Sequence, residues 1–225
     1  MNNFLELKNI HKTFKIEKTV KVLKGLSQKF KKGKIYSLMG PSGSGKSTLL
    51  NIISLIDKPS SGSMKFDKFQ IDFKNNEKND IFRAAKIGII YQQNNLLADF
   101  TALENIYLAS LSLHNDKKLA ISKAKQLLKL VKLSNRSDHY PSQLSGGECQ
   151  RIAIARAIIN DPEVILADEP TGSLDMNTAK DVFKLLSSQK KSNRLIIFAT
   201  HNRFFAKKAD YLLEMTNGSV KTTNV

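Results

Sequence analysis

The chain has 225 residues with 36 Lys and Arg against 20 Asp and Glu, a formal charge of +16, 41% hydrophobic residues and one cysteine. That hydrophobic content excludes a disordered chain, and a single cysteine excludes both an internal disulfide and a metal site built on cysteine pairs. No run approaches the roughly 20 apolar residues of a spanning helix; six of the basic residues are Arg, and there is no Trp, so the charge reads as a solvated lysine surface and not a nucleic-acid groove.

The opening MNNFLELKNI lacks the basic, apolar and small-residue order of a signal peptide, so the chain is expected to stay in the cytoplasm. Residues 4–10, 20–30 and 63–73 read as short, more polar strands of a small antiparallel sheet. Ile35–Met39 (IYSLM), 87–91 (IGIIY), 164–167 (VILA) and Leu195–Ala199 (LIIFA) are brief apolar runs bounded by charge or glycine. Runs of this kind, interleaved with helices, predict an α/β fold with a mostly parallel sheet covered on both faces. The polar stretch 74–80 (KNNEKND) reads as a surface loop. From 115 to 133 the period becomes helical, with Ala120, Ala124, Leu127, Leu128 and Val131 on one face and Lys117, Lys118, Lys125 and Lys132 largely off it. A further helix, striped by Ala179, Val182, Phe183 and Leu186, follows the VILA strand.

Chemistry begins at Gly40-Pro41-Ser42-Gly43-Ser44-Gly45-Lys46-Ser47-Thr48, which fits GxxxxGK[ST] between the IYSLM strand and a predicted helix at 48–56. Glycines let successive N–H groups curl inward as an anion nest, and the helix N-terminus adds partial positive charge. Lys46 is expected to bridge the β- and γ-phosphates and the Ser47 hydroxyl to meet Mg²⁺. A phosphate loop also needs a carboxylate at the end of a neighbouring strand. Asp168 and Glu169 follow VILA, with Asp168 placed to serve the metal and Glu169 to orient a water and take its proton.

Leu144-Ser145-Gly146-Gly147-Glu148-Cys149-Gln150-Arg151 precedes a helical IAIARAII. Ser145 and Glu148 match a capping box, so a well-capped helix is the simpler reading. The two glycines behind the cap nevertheless leave N–H groups bare, making a second anion-binding helix start. One nucleotide loop and two phosphate sites in one chain are reconciled by a symmetric dimer in which each chain closes on its partner's ATP.

In their order along the chain these motifs resemble the nucleotide-binding subunit of an ABC transporter, and the resemblance covers essentially the whole length. It implies an ATPase with a P-loop NTPase (RecA-like) core, a small antiparallel β subdomain and an inserted α-helical subdomain. Residues 1–92 and 151–225 would form the core and 93–150 the insertion. The resemblance further implies that residues 40 to 48 are the Walker A loop, Gln92 the Q-loop glutamine, and Ser145, Gly146 and Gly147 the signature. Asp168 and Glu169 would end the Walker B strand, with Asp175 in the D-loop, His201 as the switch histidine and Phe14 stacking on adenine. Glu169, His201 and Gln92 would act in hydrolysis, and Ser47, Gln92 and Asp168 would serve Mg²⁺.

The partners implied are ATP, a second copy of the chain and integral membrane subunits, with no nucleic acid, at the cytoplasmic face of the bacterial inner membrane. Within the family, the stretch 96–105 is nearest to ATPases that drive release of lipoproteins toward the outer membrane. ATPases of macrolide-export and cell-division complexes share much of that pattern. Leu96, Leu97 and Phe100 are candidates for a groove that grips a membrane partner, or else for ordinary core. Cys149 stands where the signature usually has Arg, Ala98 where the loop usually has Pro, and Phe14 where Tyr is frequent.

Overall fold

The computed structural model describes residues 3–15 and 19–224; Met1 and Asn2 of the leading segment lie outside the described residues. In chain order the elements are β1 (Leu5–Lys15), β2 (Thr19–Phe30), β3 (Ile35–Met39), α1 (Lys46–Ile53), β4 (Ser61–Phe66), β5 (Phe69–Gln70), α2 (Asn76–Lys86), β6 (Ile87–Ile90), α3 (Ala102–Leu111), α4 (Lys117–Leu130), α5 (Gly146–Ile158), β7 (Val164–Asp168), α6 (Met176–Ser187), β8 (Leu195–Ala199), α7 (Arg203–Ala206), β9 (Tyr211–Thr216) and β10 (Ser219–Asn224). They gather into two compact units, residues 1–80 with 190–225 and residues 81–189.

The first unit holds an antiparallel sheet of order β2-β1-β4-β5 and the strands β10-β9-β3-β8. In that second group β3 pairs in parallel with both β8 and β9, while β10 returns antiparallel along β9. The antiparallel sheet alternates, burying Leu5, Leu7, Leu23, Leu26, Met64 and Phe66 and leaving lysines outside. β8 is buried at every position and β3 at all but its last, which is why both read as continuous apolar runs. Each fully buried Leu or Ile there contributes about 1.5–3 kcal/mol.

Two polar anchors fix β3. The Ile35 N–H donates to Asp210 Oδ2 at 2.7 Å, and Asp210 is also held by Lys190 at 2.9 Å. Tyr36 stacks on Tyr211 at 4.7 Å and meets Phe30 edge-on at 5.0 Å. Its hydroxyl accepts the Lys31 N–H at 3.1 Å, and burial pushes the phenol up to about 12.

In the second unit β6 and β7 pair in parallel, Ile87 opposite Val164 through Ile90 opposite Ala167. Ala102, Ile106 and Tyr107 of α3, Ala120, Ala124 and Leu128 of α4, and Ile152 and Ala155 of α5 form a buried helical core. Most of the apolar face expected of α4 is buried in it, with Leu127 only partly so. A capping box starts α3, where Thr101 accepts the Glu104 N–H and Glu104 accepts the Thr101 N–H.

Three expectations need correction. The stretch 74–80 is not a loop throughout: α2 begins at Asn76, with Asn75 Oδ1 accepting the Lys78 N–H at 3.1 Å and buried Asn79 donating to the Asp72 carbonyl at 2.9 Å. Side-chain caps let a polar run enter a helix. The single strand at 63–73 is instead the hairpin β4–β5, turned at Asp67 with φ of 53°, a conformation Asp tolerates. α1 begins at Lys46 rather than Thr48 and ends at Ile53.

Candidate functional site

In the first unit the chain leaves β3 and turns through the phosphate loop into α1. Gly40 is required by close approach, since a Cβ there would stand 2.3 Å from the Met215 carbonyl oxygen. Gly43 is required by backbone alone, with φ of +77° in otherwise open space. α1 has Gly45 at its N-cap in the left-handed region, and no side chain caps its N–H groups. Those donors are left for a ligand. Lys46 Nζ lies over the loop, donating to the carbonyls of Gly40 at 2.8 Å and Pro41 at 3.1 Å. Ser44 is 6% exposed, yet its Oγ finds no hydrogen-bond partner, an orphan that a phosphate oxygen suits. Ser42 and Ser47 are exposed, and Thr48 is half-buried.

His201 follows β8 and lines, together with Gly40, Pro41, Arg203 and Glu214, a cleft of about 580 Å³. The turn that carries it is pinned on both sides: the Thr200 N–H donates to the Leu38 carbonyl at 3.1 Å and Asn202 caps α7. Fold and loop thus bring Gly40, Pro41 and His201 to one cleft. Phe14 belongs to the other sheet, half-buried on β1, with the Lys12 ammonium 4.8 Å from its ring centroid.

In the second unit β7 delivers Asp168 and Glu169, both half-buried. Glu169 has φ of 47°, unusual for a non-glycine residue and a mark of strain where the strand breaks into the following turn. That turn closes by the Gly172 N–H donating to the Glu169 carbonyl at 3.0 Å. A Cβ on Gly172 would lie 3.1 Å from Gln92 Nε2 and 3.4 Å from Glu169 Cβ. Gln92, Glu169 and the 169–172 turn therefore share one small space.

A second cluster forms around Ser145, the N-cap of α5. The Glu148 N–H donates to Ser145 Oγ at 3.3 Å and the Ser145 N–H to Glu148 Oε2 at 2.8 Å, completing the capping box. The Ser145 N–H and the Arg136 guanidinium hold the Glu148 carboxyl below its ordinary value. Gly146 faces Leu174 and Gly147 faces Thr178, so the signature and the 173–178 segment are in contact. Asp175 caps α6, accepting the N–H groups of Asn177 and Thr178 at 3.0 and 3.1 Å, and bonds from Thr178 keep its carboxyl low.

An anion cradle followed by a helix, a strand ending in two acids beside a glutamine, and a glycine helix start in contact with Leu174 and Thr178 are each features of a nucleotide triphosphatase of one kind. The sequence profile of that kind, "ABC transporter", matches residues 23–172. The chain belongs to the ABC transporter family. It is an ATP-binding ATPase subunit, with the α/β fold of a P-loop NTPase.

Among its relatives, the "Lipoprotein-releasing system ATP-binding protein LolD" of Ehrlichia chaffeensis is 42% identical over 227 residues, covering 100% of this chain and 97% of the relative. That of Rickettsia prowazekii is 44% identical over 221 residues, covering 97% and 98%. A solved structure, the ATP-binding cassette MJ0796 in a dimeric post-hydrolysis state bound to ADP and Pi, is 36% identical with a TM-score of 0.90 over 98% of each chain.

Among the described residues no helix is long and apolar enough to cross a membrane. Leu97 and Phe100 are 48% and 38% exposed, whereas Leu96 packs on the helical core. Cys149 points inward, its Sγ 3.6 Å from the Pro141 carbonyl oxygen, and burial pushes its thiol up. Sequence reading misses Asn105, 1% exposed, which accepts the Leu97 N–H at 2.7 Å and faces the carbonyls of Leu97, Phe100 and Thr101 at 2.9–3.0 Å. A polar residue inside an apolar helical stripe is the signal that could have found it.

Proposed function

We propose that this chain is the ATP-hydrolysing subunit of a lipoprotein-releasing transport complex. It would work as a homodimer beneath integral membrane subunits at the cytoplasmic face of the inner membrane. The observation that carries the reading is full-length similarity to relatives bearing that name, 42% identical over 100% of this chain in one case.

On this reading the N–H groups of the 40–48 loop and α1 bind the phosphates, Lys46 swings from the loop carbonyls onto them, and Phe14 stacks on adenine. Pro41 and Ser42 shape the mouth of the loop, and His201 meets the γ-phosphate. Glu169 takes the proton of the attacking water, and Gln92 orients that water from across the 169–172 turn. Ser145, Gly146 and Gly147 of one copy close on ATP held by the other, and Asp175 sets the depth of that approach. Closure does work on the membrane subunits because ATP favours the closed dimer over the open one.

Ser47, Gln92 and Asp168 offer hydroxyl, amide and carboxylate oxygens, a donor chemistry that suits Mg²⁺. Three such donors fit an ion whose remaining positions are filled by phosphate oxygens and water. When bound, the ion neutralises charge on the β- and γ-oxygens. Residues 1–92 and 151–225 serve as the nucleotide-binding core. Residues 93–150 are the inserted subdomain, and its exposed Leu97 and Phe100 are the groove offered to the membrane partner.

The test is to trap the Glu169→Gln protein with ATP, extract it in mild detergent and identify what accompanies it by mass spectrometry. Integral membrane subunits together with lipoproteins are expected. A cell-division membrane protein or a large exporter subunit, without lipoprotein, would overturn the cargo and leave the ATPase reading standing.

A further inference from the structure

The Arg156 guanidinium in α5 donates through Nη1 to the Asn95 carbonyl and through Nη2 to the Asn94 carbonyl, both at 2.6 Å. Earlier on the same helix Gln150, 2% exposed, donates through Nε2 to the Tyr91 carbonyl at 3.0 Å. The Asn95 N–H turns back onto the Gln93 carbonyl and Asn95 sits at φ of 48°, a turn that puts both acceptor carbonyls within reach of one guanidinium. Every carbonyl held in this way lies in 91–95, the stretch that carries Gln92, and both donors lie on the helix whose N-cap is Ser145.

A bidentate, charge-assisted fork fixes direction as well as distance, and a buried amide bond beside it removes the remaining rotation. We infer that Arg156 and Gln150 are positioning residues that bind the 91–95 segment to the signature helix as one body, so that any displacement of Gln92 is delivered to Ser145, Gly146 and Gly147. Burial lowers the guanidinium pKa from its ordinary value, as expected for a cation withdrawn from water to hold backbone dipoles. The inference rests on the roles proposed above for Gln92 and the signature. It adds a physical link between them that runs through main-chain carbonyls and so leaves no mark in the motif residues themselves.

The measurement is the ratio of ATPase rate with the membrane subunits to the rate of the isolated protein, together with the ATP dissociation constant. Arg156→Gln and Gln150→Leu are each expected to lower that ratio about tenfold, the size of effect that coupled neighbours show. The ATP dissociation constant should stay within about twofold, because the phosphate loop is untouched. Arg156→Lys should recover only part of the ratio, since an ammonium cannot fork onto two carbonyls. Combining Gln92→Ala with Arg156→Gln should cost no more than Gln92→Ala alone, a non-additivity that simple loosening of the fold would not produce.

A stimulation ratio at the wild-type level in either single variant, or additive losses in the double variant, overturns the inference. Should Arg156→Gln fail to fold, Gln150→Leu decides alone and its own combination with Gln92→Ala supplies the cycle. If Gln92→Ala itself keeps full stimulation, the role given to Gln92 fails and this link fails with it. If Gln92→Ala loses stimulation while Arg156→Gln and Gln150→Leu keep it, only the link fails.

Discussion

Gly147 and Thr178 are in such close contact that a Cβ on the glycine would stand 2.3 Å from Thr178 Cγ2. α5 and α6 therefore meet at the signature with no room for a methyl group. Two effects oppose each other in Gly147→Ala. Helix propensity favours Ala by about 1 kcal/mol, while overpacking costs about 1–3 kcal/mol. The balance predicts net destabilisation, read as a lower denaturation midpoint. Thr178→Ser removes Cγ2 and keeps the hydroxyl, so adding it should restore most of the loss. A double variant no more stable than Gly147→Ala would show that the contact is not the cause.

Glu169 sits at φ of 47°, held by the turn that closes with the Gly172 N–H. Gln has nearly the same shape and keeps that backbone, so Glu169→Gln should bind ATP as wild type does. Losing the proton acceptor should slow hydrolysis by about 10²–10⁴-fold. Single-turnover hydrolysis beside equilibrium binding separates the two quantities, and wild-type turnover in this variant would remove Glu169 from the mechanism.

Lys46 Nζ rests 2.8 and 3.1 Å from two carbonyls of its own loop. Replacing it by Ala removes a charged hydrogen bond of about 1.5–3 kcal/mol to phosphate, which is a factor of roughly 10 to 100 in affinity. Fluorescent-nucleotide titration of Lys46→Ala reads this directly. An unchanged dissociation constant would mean that the lysine does not touch the phosphates.

How much was legible depended on where the signal resides. β3 and β8 fall on the expected residues because a strand buried on both faces must be an unbroken apolar run with charge or glycine at its ends. The α5 cap was equally readable, since Ser145 and Glu148 sit at capping-box spacing. The Thr101 and Glu104 box that opens α3 is the same signal, and the Asn217-Gly218 turn, with φ of 49° and 78°, is a hairpin signature between β9 and β10. Both lay open to a closer reading. Other features had no side-chain pattern to betray them. The strained φ of Glu169 and the carbonyls held by Arg156 are backbone properties, and every residue has a backbone. α2 escaped because polar capping, and no apolar stripe, starts it.

Cys149 lies 7% exposed, its Sγ turned to the Pro141 carbonyl, and burial followed by the Glu148 charge raises its thiol pKa. The thiolate is the reactive form, so a buried thiol with a raised pKa is inert. At pH 8 a thiol reagent should label the native protein at least about a hundredfold more slowly than the unfolded chain, and the rate should climb with urea as local opening becomes easier. Native labelling as fast as unfolded labelling would place Cys149 at the surface.

Asp210 ties the start of β3 to Lys190, accepting the Ile35 N–H at 2.7 Å and the ammonium at 2.9 Å. Burial alone would raise its carboxyl, but the Ile35 N–H and the charges of Lys190 and Lys34 outweigh it and leave the pKa below the ordinary aspartate value. With the folded pKa depressed, the unfolded chain takes up the proton first as pH falls. Stability from this group is therefore fully present above the ordinary value of about 3.9 and disappears as pH drops through the lower folded value. Asp210→Asn should lower the unfolding free energy at pH 7 by about 1.5–3 kcal/mol, the range for hydrogen bonds to a charged group. The gap between wild type and Asp210→Asn, followed by urea denaturation, should stay constant from pH 7 to about pH 5 and close below about pH 4. A gap that persists unchanged into that acid range would mean that the asparagine is costly for its packing, not for its missing charge.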